Sequence, residues 1–323
     1  MSQLHRAPGG PLLTRAEVSS CGPSIEDPSA VFNPGAVFWQ GRIHLMLRVQ
    51  TRGRETFLVM ARSEDGTAFD IAPAPVAIPA LQAQPERVFH AYDPRLTVLE
   101  GSVHGLVALD YDDRTGLGLL RSQDLATWEF VGEVSTEDTR NGVLFPERIG
   151  GRYVRLERPN RIERVDGPRG GDEIWLATSS DLLTWQLERP VARGRARFWD
   201  ELIGPGPPPI KTTSGWLLLY HGIATHFGSA NIYQVGAMLL DLQDPSVVLA
   251  RTRNNILEPR EEWELCGQVP NVVFPTGLVA SEVDETGMAA DGSPFLLYYG
   301  AADTVVGLAT GKVADLVSAC WND

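Results

Sequence analysis

A Gly-led turn runs directly into an apolar strand at Gly41-Arg42-Ile43-His44-Leu45-Met46-Leu47-Arg48, and this unit decides the fold because it recurs. Four later stretches begin in the same way, at residues 101–109, 151–156, 215–220 and 292–299. Helical periodicity is almost absent, whereas short β-rich runs bounded by Gly, Asp and Pro fill the chain. Five copies of one strand-rich unit predict an all-β fold, a five-bladed β-propeller. A β-sandwich or jelly roll fits five such units less well.

A second strand follows each copy and ends in a turn that contains Asp. The clearest examples read Ser122-Gln123-Asp124 and Ser179-Ser180-Asp181, each followed four residues later by a Trp. We interpret this Ser-x-Asp-x-x-x-Trp pattern as structural, because the Trp can start the next strand and pack between sheets. Equivalent turns are predicted at residues 61–66, 240–245 and 309–316. The whole chain, residues 1–323, is predicted to be one catalytic propeller domain with a short N-terminal extension of about residues 1–25.

Composition excludes several classes of partner. The net charge of −13 and the pI near 5.0 argue against nucleic acid and against anionic membranes, because both would repel the protein. The three cysteines, Cys21, Cys266 and Cys320, are far apart and show no metal-ligand spacing, which predicts a reducing compartment and no bound metal. No apolar run has the length of a signal peptide or a membrane span. We therefore expect a cytoplasmic protein.

The most distinctive short stretch is His90-Ala91-Tyr92-Asp93-Pro94-Arg95. A residue before Pro is pushed out of the helical region, so Asp93 is held in a fixed place beside Tyr92 and Arg95. A carboxyl group held in this way can act as a general acid. A simple turn at the start of a strand is the alternative for the stretch taken alone.

Polar residues are predicted to converge on the axis of the propeller, since they stand at or just before strand ends in every repeat. Arg48, Arg158 and His221 each follow an apolar strand, where a charge without a partner is costly. Residues expected to bind the substrate are Asn33, Arg48, Tyr92, Arg95, Asn141, Tyr233, Phe274 and Asp303.

A group of cations in an acidic protein predicts an anionic ligand. Arg140, Arg158 and Lys211, together with Arg48, are expected at equivalent places, and inorganic phosphate is the natural candidate. Glycosidases usually need two carboxylates. Beside Asp93, the candidates for a second one are Glu147, Glu157 and Asp303, none in an equally distinctive context. If phosphate attacks the sugar itself, no second carboxylate is needed, and a hydrolase becomes a phosphorylase.

In these residues and motifs the chain resembles glycoside hydrolase family 130, the five-bladed propeller β-mannoside phosphorylases. The resemblance extends from residues 32–35 to residues 300–303. The motifs that carry it are Tyr92-Asp93-Pro94-Arg95, Leu144-Phe145-Pro146-Glu147-Arg148-Ile149, Leu156-Glu157-Arg158-Pro159, Pro207-Pro208-Pro209-Ile210-Lys211-Thr212, Tyr220-His221-Gly222 and Val269-Pro270-Asn271-Val272-Val273-Phe274-Pro275.

The resemblance implies a reaction and a role for each site residue. Asp93 would be the catalytic acid, acting on the interglycosidic oxygen directly or through the 3-hydroxyl of the sugar. Phosphate would bind Arg140, Arg158 and Lys211, with His221 beside them. The mannosyl unit would bind Asn33, Arg48 and Asp303, and Tyr92 and Tyr233 would line the acceptor side. The product would be α-mannose 1-phosphate, formed with inversion and without a metal or organic cofactor.

The resemblance leaves several points open. Tyr92 stands where many members have Glu, which resembles the branch acting on β-1,4-mannosyl-N-acetylglucosamine and manno-oligosaccharides. The linkage, the acceptor sugar and the oligomeric state stay undecided, and a homo-oligomer is one alternative. The polar insert at residues 160–171 is expected to be a surface loop near the acceptor site. Hydrolysis, or a propeller that only binds glycans, are the competing functions.

Overall fold

The computed structural model describes residues 4–18, 25–163, 170–225 and 231–322, and these form five antiparallel sheets. A short strand, β1 (His5–Arg6), precedes them. The first sheet contains β2 (Ala30–Trp39), β3 (Arg42–Gln50), β4 (Thr56–Ser63) and β5 (Asp70–Ile71). After the short helix α1 (Pro79–Gln82), the second sheet contains β6 (His90–Leu99), β7 (Ser102–Asp110), β8 (Thr115–Ser122) and β9 (Glu129–Glu133).

The remaining three sheets follow in chain order. The third contains β10 (Thr139–Leu144), β11 (Tyr153–Pro159), β12 (Glu173–Ser179) and β13 (Trp185–Arg193). The fourth contains β14 (Leu202–Pro205), β15 (Ile210–Thr212), β16 (Gly215–Ala224), β17 (Ile232–Leu240) and β18 (Val248–Arg251). After α2 (Glu262–Leu265), the fifth contains β19 (Val273–Ala280), β20 (Pro294–Ala301) and β21 (Val305–Lys312), followed by α3 (Val313–Trp321). The predicted five-bladed β-propeller is confirmed.

The first strand of each sheet lies innermost. β2 contacts β6 and β19, and β10 contacts β6 and β14, so the first strands meet around the axis. The recurring Gly-led strand is therefore the second strand of its blade. Gly41 and Gly101 complete the hairpin between the two strands, with φ of +80° and +75° after residues that also have positive φ. Positive φ at both central positions is typical of the type I′ turn, which explains the Gly.

The Asp turns are structural where their contacts are described. In the second blade the backbone N–H groups of Ala126 and Thr127 donate to Asp124, and the Trp128 indole donates to the Leu125 carbonyl. The turn predicted at residues 309–316 is wrong, because α3 begins there. Val313, Leu316 and Cys320 are buried at helical spacing on the face that packs against the outer strands of the fourth and fifth sheets.

The hydrophobic core lies between the blades. Each of the five buried clusters in the described part of the chain joins two neighbouring sheets, for example Leu96 and Val107 of the second blade with Met46 of the first. The last blade is completed from the N-terminus, since β1 pairs with β21. Arg6 then binds the fully buried Glu264 at 2.8 Å. Residues 5 and 6 of the predicted N-terminal extension thus belong to the fifth sheet.

Candidate active site

Three innermost strands carry the same local distortion next to the axis. The pairing register slips after Phe32 in β2, after Tyr92 in β6 and after Arg140 in β10. The residue after each slip has a left-handed backbone: φ is +46° at Asn33, +52° at Asp93 and +56° at Asn141. Asn and Asp tolerate this conformation better than other non-Gly residues. A bulge re-aims a side chain, so three blades point a polar group at one central cavity.

This cavity has a volume of about 730 Å³, within the usual range for small-ligand sites. All thirteen residues predicted for the site lie in the described part of the chain. Ten of them line the cavity: Asn33, Arg48, Tyr92, Asp93, Arg140, Asn141, Arg158, Tyr233, Phe274 and Asp303. Motifs in all five blades therefore contribute predicted residues to the wall of one cavity.

The Asp93 carboxylate is held from the first blade. Asn33 Nδ2 donates to Asp93 Oδ1 at 2.9 Å, and Arg48 Nη1 donates to the same oxygen at 2.8 Å. In the described part of the chain, no side chain donates a hydrogen bond to Oδ2. One oxygen is thus fixed by two donors, and the other is left to exchange a proton with a ligand.

The Arg48 guanidinium is itself fixed between two aromatic rings. Its Cζ lies 4.5 Å from the ring centroid of Phe32 and 4.5 Å from that of Tyr92. Burial by itself lowers the pKa of Arg48, but Asp93 and Asp303 outweigh it and raise the pKa above its ordinary value. Arg48 therefore stays charged and bridges two carboxylates.

Asp303 is the second carboxylate of this cavity. The pKa of Asp303 is raised to about 6, mainly by burial; Arg48 opposes the rise, and the nearby Asp93 contributes to it. Like charges at one site disfavour double ionisation. The other two candidates for a second carboxylate form ion pairs elsewhere, Glu147 with Lys211 and Glu157 with the buried Arg155.

The raised pKa of Asp303 predicts a pH effect on stability. The folded state holds this proton more tightly than the unfolded chain, whose carboxyl has the ordinary value of 3.8. The resulting stabilisation is complete below pH 3.8 and is lost as the pH rises through about 6. We expect Asp303→Asn to match wild type in melting temperature near pH 4 and to exceed it at pH 7. Equal differences at both pH values would contradict the assignment.

Two arginines face each other on the third blade. Arg140 and Arg158 are direct cross-strand partners in β10 and β11, a placement that is unfavourable for like charges. Polar contacts orient both: Arg140 Nε donates to Thr115 Oγ1 at 3.3 Å, and Arg158 Nη2 donates to Asn160 Oδ1 at 3.2 Å. Asp138 accepts hydrogen bonds from both Thr115 and Asn160. Two such guanidinium groups beside a cavity suit an oxyanion.

Arg95 is buried and does not line the cavity. Only 1% of it is exposed, and it donates to the backbone carbonyls of Asp93 and Gly206. It also lies 5.4 Å from the ring centroid of Phe274, so it joins the second, fourth and fifth blades across the axis. Burial lowers the pKa of Arg95 to about 10. Arg95 was predicted to contact the substrate, but it does not line the cavity, and its buried side chain instead joins the backbones of two blades.

Lys211 lies away from the cavity, contrary to the prediction. Its Nζ is 2.7 Å from Glu147 Oε2, and its strand β15 pairs with the start of β16, opposite Trp216. His221 lies five residues beyond Trp216 on β16, roughly 17 Å from it along the strand. The Pro-rich loop does lead straight into β15, as the sequence predicted. However, β15 pairs with the beginning of β16, far from His221, and the local sequence does not show which end of β16 it pairs with.

His221 is placed behind the cavity wall. It is fully buried, 4.7 Å from the ring centroid of Phe274 and 6.2 Å from that of Tyr233. Burial lowers the pKa of His221 well below 6.5, and Arg158 and Arg95 lower it further. The neutral, buried imidazole packs against the two rings, and His221 is not among the residues that line the cavity. Gly204 makes room for it, because a Cβ there would lie 2.5 Å from His221 Cε1.

Several site residues were missed by the sequence reasoning. Thr115, Asp138 and Asn160 orient the arginines, and Asp110 accepts a hydrogen bond from the Tyr92 hydroxyl at 2.8 Å. Only Asn160 had a signal, since it follows Pro159 at the end of β11. The predicted surface loop at residues 160–171 lies partly outside the described residues, which exclude 164–169.

Comparison with known proteins identifies the family. A family-wide sequence profile described as beta-1,4-mannooligosaccharide phosphorylase matches residues 4–322. The chain belongs to glycoside hydrolase family 130. Members of family 130 similar to this chain include a 1,2-β-oligomannan phosphorylase from Thermoanaerobacter sp., 34% identical over 89% of this chain and 92% of that protein. A β-1,4-mannooligosaccharide phosphorylase from Ruminococcus albus is 31% identical over 90% of this chain and 84% of that protein.

A solved family 130 structure matches nearly the whole propeller. It is the β-1,2-mannobiose phosphorylase from Listeria innocua in complex with β-1,2-mannobiose, with a TM-score of 0.83 and 26% identity. The match covers 98% of this chain and 99% of that chain. Within the ranges that the structure describes, no helix has the length and apolar character needed to cross a membrane.

Proposed function

We propose that this family 130 enzyme is an inverting β-mannoside phosphorylase. It transfers a mannosyl group from a β-linked mannoside, such as β-mannobiose, a manno-oligosaccharide or mannosyl-N-acetylglucosamine, to inorganic phosphate. A phosphate oxygen attacks the anomeric carbon on the face opposite the leaving sugar, and the glycosidic C–O bond breaks. The proton of Asp93 passes to the leaving oxygen, directly or through the 3-hydroxyl. The products are α-mannose 1-phosphate and the shortened acceptor.

The observation that carries this proposal is that one cavity holds both parts of the reaction. Asp93 stands on the second blade, and the facing pair Arg140 and Arg158 stands on the third. An anion bound between the arginines can supply the nucleophile, so no protein base is required. Asn33, Arg48 and Asp303 then hold the mannosyl unit, and Tyr92, Asn141, Tyr233 and Phe274 line the rest of the cavity. His221 was predicted beside the phosphate, and its buried ring packs against Tyr233 and Phe274.

Relatives with known activities support the same reaction class. The names of the similar family members include phosphorylases of β-1,2- and of β-1,4-linked mannosides. Phosphate is the co-substrate in the proposed reaction, and no metal or organic cofactor takes part. The cytoplasmic location stays a prediction from the sequence, and a homo-oligomer stays one alternative for the assembly.

Hydrolysis is the second candidate, and two observations favour it. Lys211 is absent from the cavity wall, so one of the cations predicted to bind phosphate pairs with Glu147 instead. Asp303, with its raised pKa of about 6, offers a second carboxyl group beside Asp93. An inverting hydrolase needs such a pair to protonate the leaving group and to activate water.

A product panel tests the proposal. The protein is incubated with β-1,2-, β-1,3- and β-1,4-mannobiose and with mannosyl-N-acetylglucosamine, each with and without phosphate. We expect α-mannose 1-phosphate from at least one substrate, and only when phosphate is present. Free mannose at equal rates in both conditions would establish the hydrolase instead, and unchanged substrates throughout would leave a glycan-binding propeller.

A further inference from the structure

Two exposed apolar side chains stand at the mouth of the cavity. Phe89 precedes β6 and is 40% exposed, and Val269 precedes β19 and is also 40% exposed. Both line the cavity. A single exposed apolar residue on a surface is ordinary. Two of them in the wall of one cavity, which also contains the exposed Asp112, form an amphipathic rim.

The ring of Phe89 is held in place rather than left loose. The Arg87 guanidinium lies 4.4 Å from its centroid and covers one face of the ring. The backbone N–H of Phe89 donates to the Asp110 carbonyl at 2.9 Å, which continues the β6–β7 ladder outward. A positioned aromatic surface loses little conformational entropy when a ligand stacks on it.

The distance from the reacting centre indicates which part of a ligand reaches this rim. Phe89 and Asp93 are four residues apart on an extended strand, roughly 13 Å along the chain. That is farther than one sugar ring spans, so the leaving sugar of a disaccharide stays near Tyr92 and Tyr233. A chain that continues past the leaving sugar can therefore extend along the cavity wall toward the exposed Phe89.

We propose that Phe89, with Val269 and Asp112 at the same mouth, forms a distal subsite for the second sugar beyond the bond that is cleaved. The inference rests on the proposed function and deepens it. A pyranose ring has an apolar C–H face and hydroxyl groups around its edge. The apolar face stacks on Phe89, and the hydroxyl groups reach Asp112. The enzyme thereby favours mannosides of three or more units over disaccharides.

The test compares chain lengths in Phe89→Ala and in a matched control. The substrates are the di-, tri- and tetrasaccharide of the linkage that wild type cleaves. In Phe89→Ala we expect kcat/KM to stay within about twofold for the disaccharide and to fall roughly three- to tenfold for the longer chains. Phe89→Trp, which keeps an aromatic ring, should retain the wild-type preference for the longer chains. Phe38→Ala, which removes a Phe that is 57% exposed and lies outside the cavity wall, should change none of these values.

Binding separates this inference from the proposed reaction. Calorimetric titration of Asp93→Asn protein with the same saccharides, with and without the additional Phe89→Ala change, needs no turnover. Tighter binding of the trisaccharide than of the disaccharide, lost on adding Phe89→Ala, supports the subsite even if the reaction is hydrolysis. Equal affinities for all chain lengths, or equal losses for all of them, would overturn it.

Discussion

Asp93→Asn is expected to fold normally and to lose at least ~10²-fold in phosphorolysis of a natural mannoside, because the amide has no proton of carboxylic acidity to give. The fold is expected to survive, since an amide oxygen still accepts hydrogen bonds from Asn33 and Arg48 as Asp93 Oδ1 does. The loss is measured as the fall in kcat/KM for phosphate-dependent release of the acceptor sugar. Folding is checked by the melting temperature.

If Asp93 is the proton donor, the loss of activity should also depend on the leaving group of the substrate. An aryl β-mannoside with a good leaving group needs little protonation, so Asp93→Asn should lose much less activity on it than on a disaccharide. Asp181→Asn makes the same chemical change in an exposed turn and should leave both activities unaltered. Similar losses by Asp93→Asn on the aryl and the natural substrate would assign Asp93 to binding alone.

Arg140→Ala is expected to raise the apparent KM for phosphate by about 10- to 150-fold, while the KM for the mannoside changes little. The range corresponds to one charge-assisted hydrogen bond, about 1.5–3 kcal/mol. Initial rates over a matrix of phosphate and mannoside concentrations give both constants.

Lys211→Ala is the matched control, since it also removes one positive charge. Lys211 pairs with Glu147 in a partly exposed ion pair, so its loss should cost about 0–1 kcal/mol of stability and leave both KM values unchanged. A phosphate effect of Lys211→Ala as large as that of Arg140→Ala would show that charge at a distance, and not contact, decides phosphate affinity.

Residues within one motif were predictable because neighbours in sequence are neighbours on a strand. The Asp93 motif places a carboxylate at a bulge, and Arg140 and Asn141 place a guanidinium and an amide at the corresponding bulge of the third blade. Equivalence between repeats then brought Arg48 and Arg158 to corresponding places on β3 and β11. Each of these inferences needs only strand geometry and the repeat.

Residues whose role depends on contacts between blades were not predictable in the same way. Arg95 follows the Asp-Pro pair and resembles a ligand-binding residue, yet its guanidinium reaches Gly206, which is 111 residues away in sequence. Thr115 and Asp138 had no motif, because their function is to hold arginines that belong to other strands. Lys211 lies in a recognisable motif, but its strand pairs with the beginning of β16, and the side chain binds Glu147 outside the cavity wall.

The sequence by itself determined the five-bladed propeller and the family, and its motifs pointed to Asn33, Asp93 and Asn141, because the spacing of Gly, Asp and apolar residues along strands is a local property. Tertiary structure alone decided which polar residues share the cavity and which lie outside its wall. The physical reason is that side chains from different blades meet only after the ring has closed through β1 and β21, and burial and neighbouring charge then set whether each is a ligand, a support or a buried ion pair.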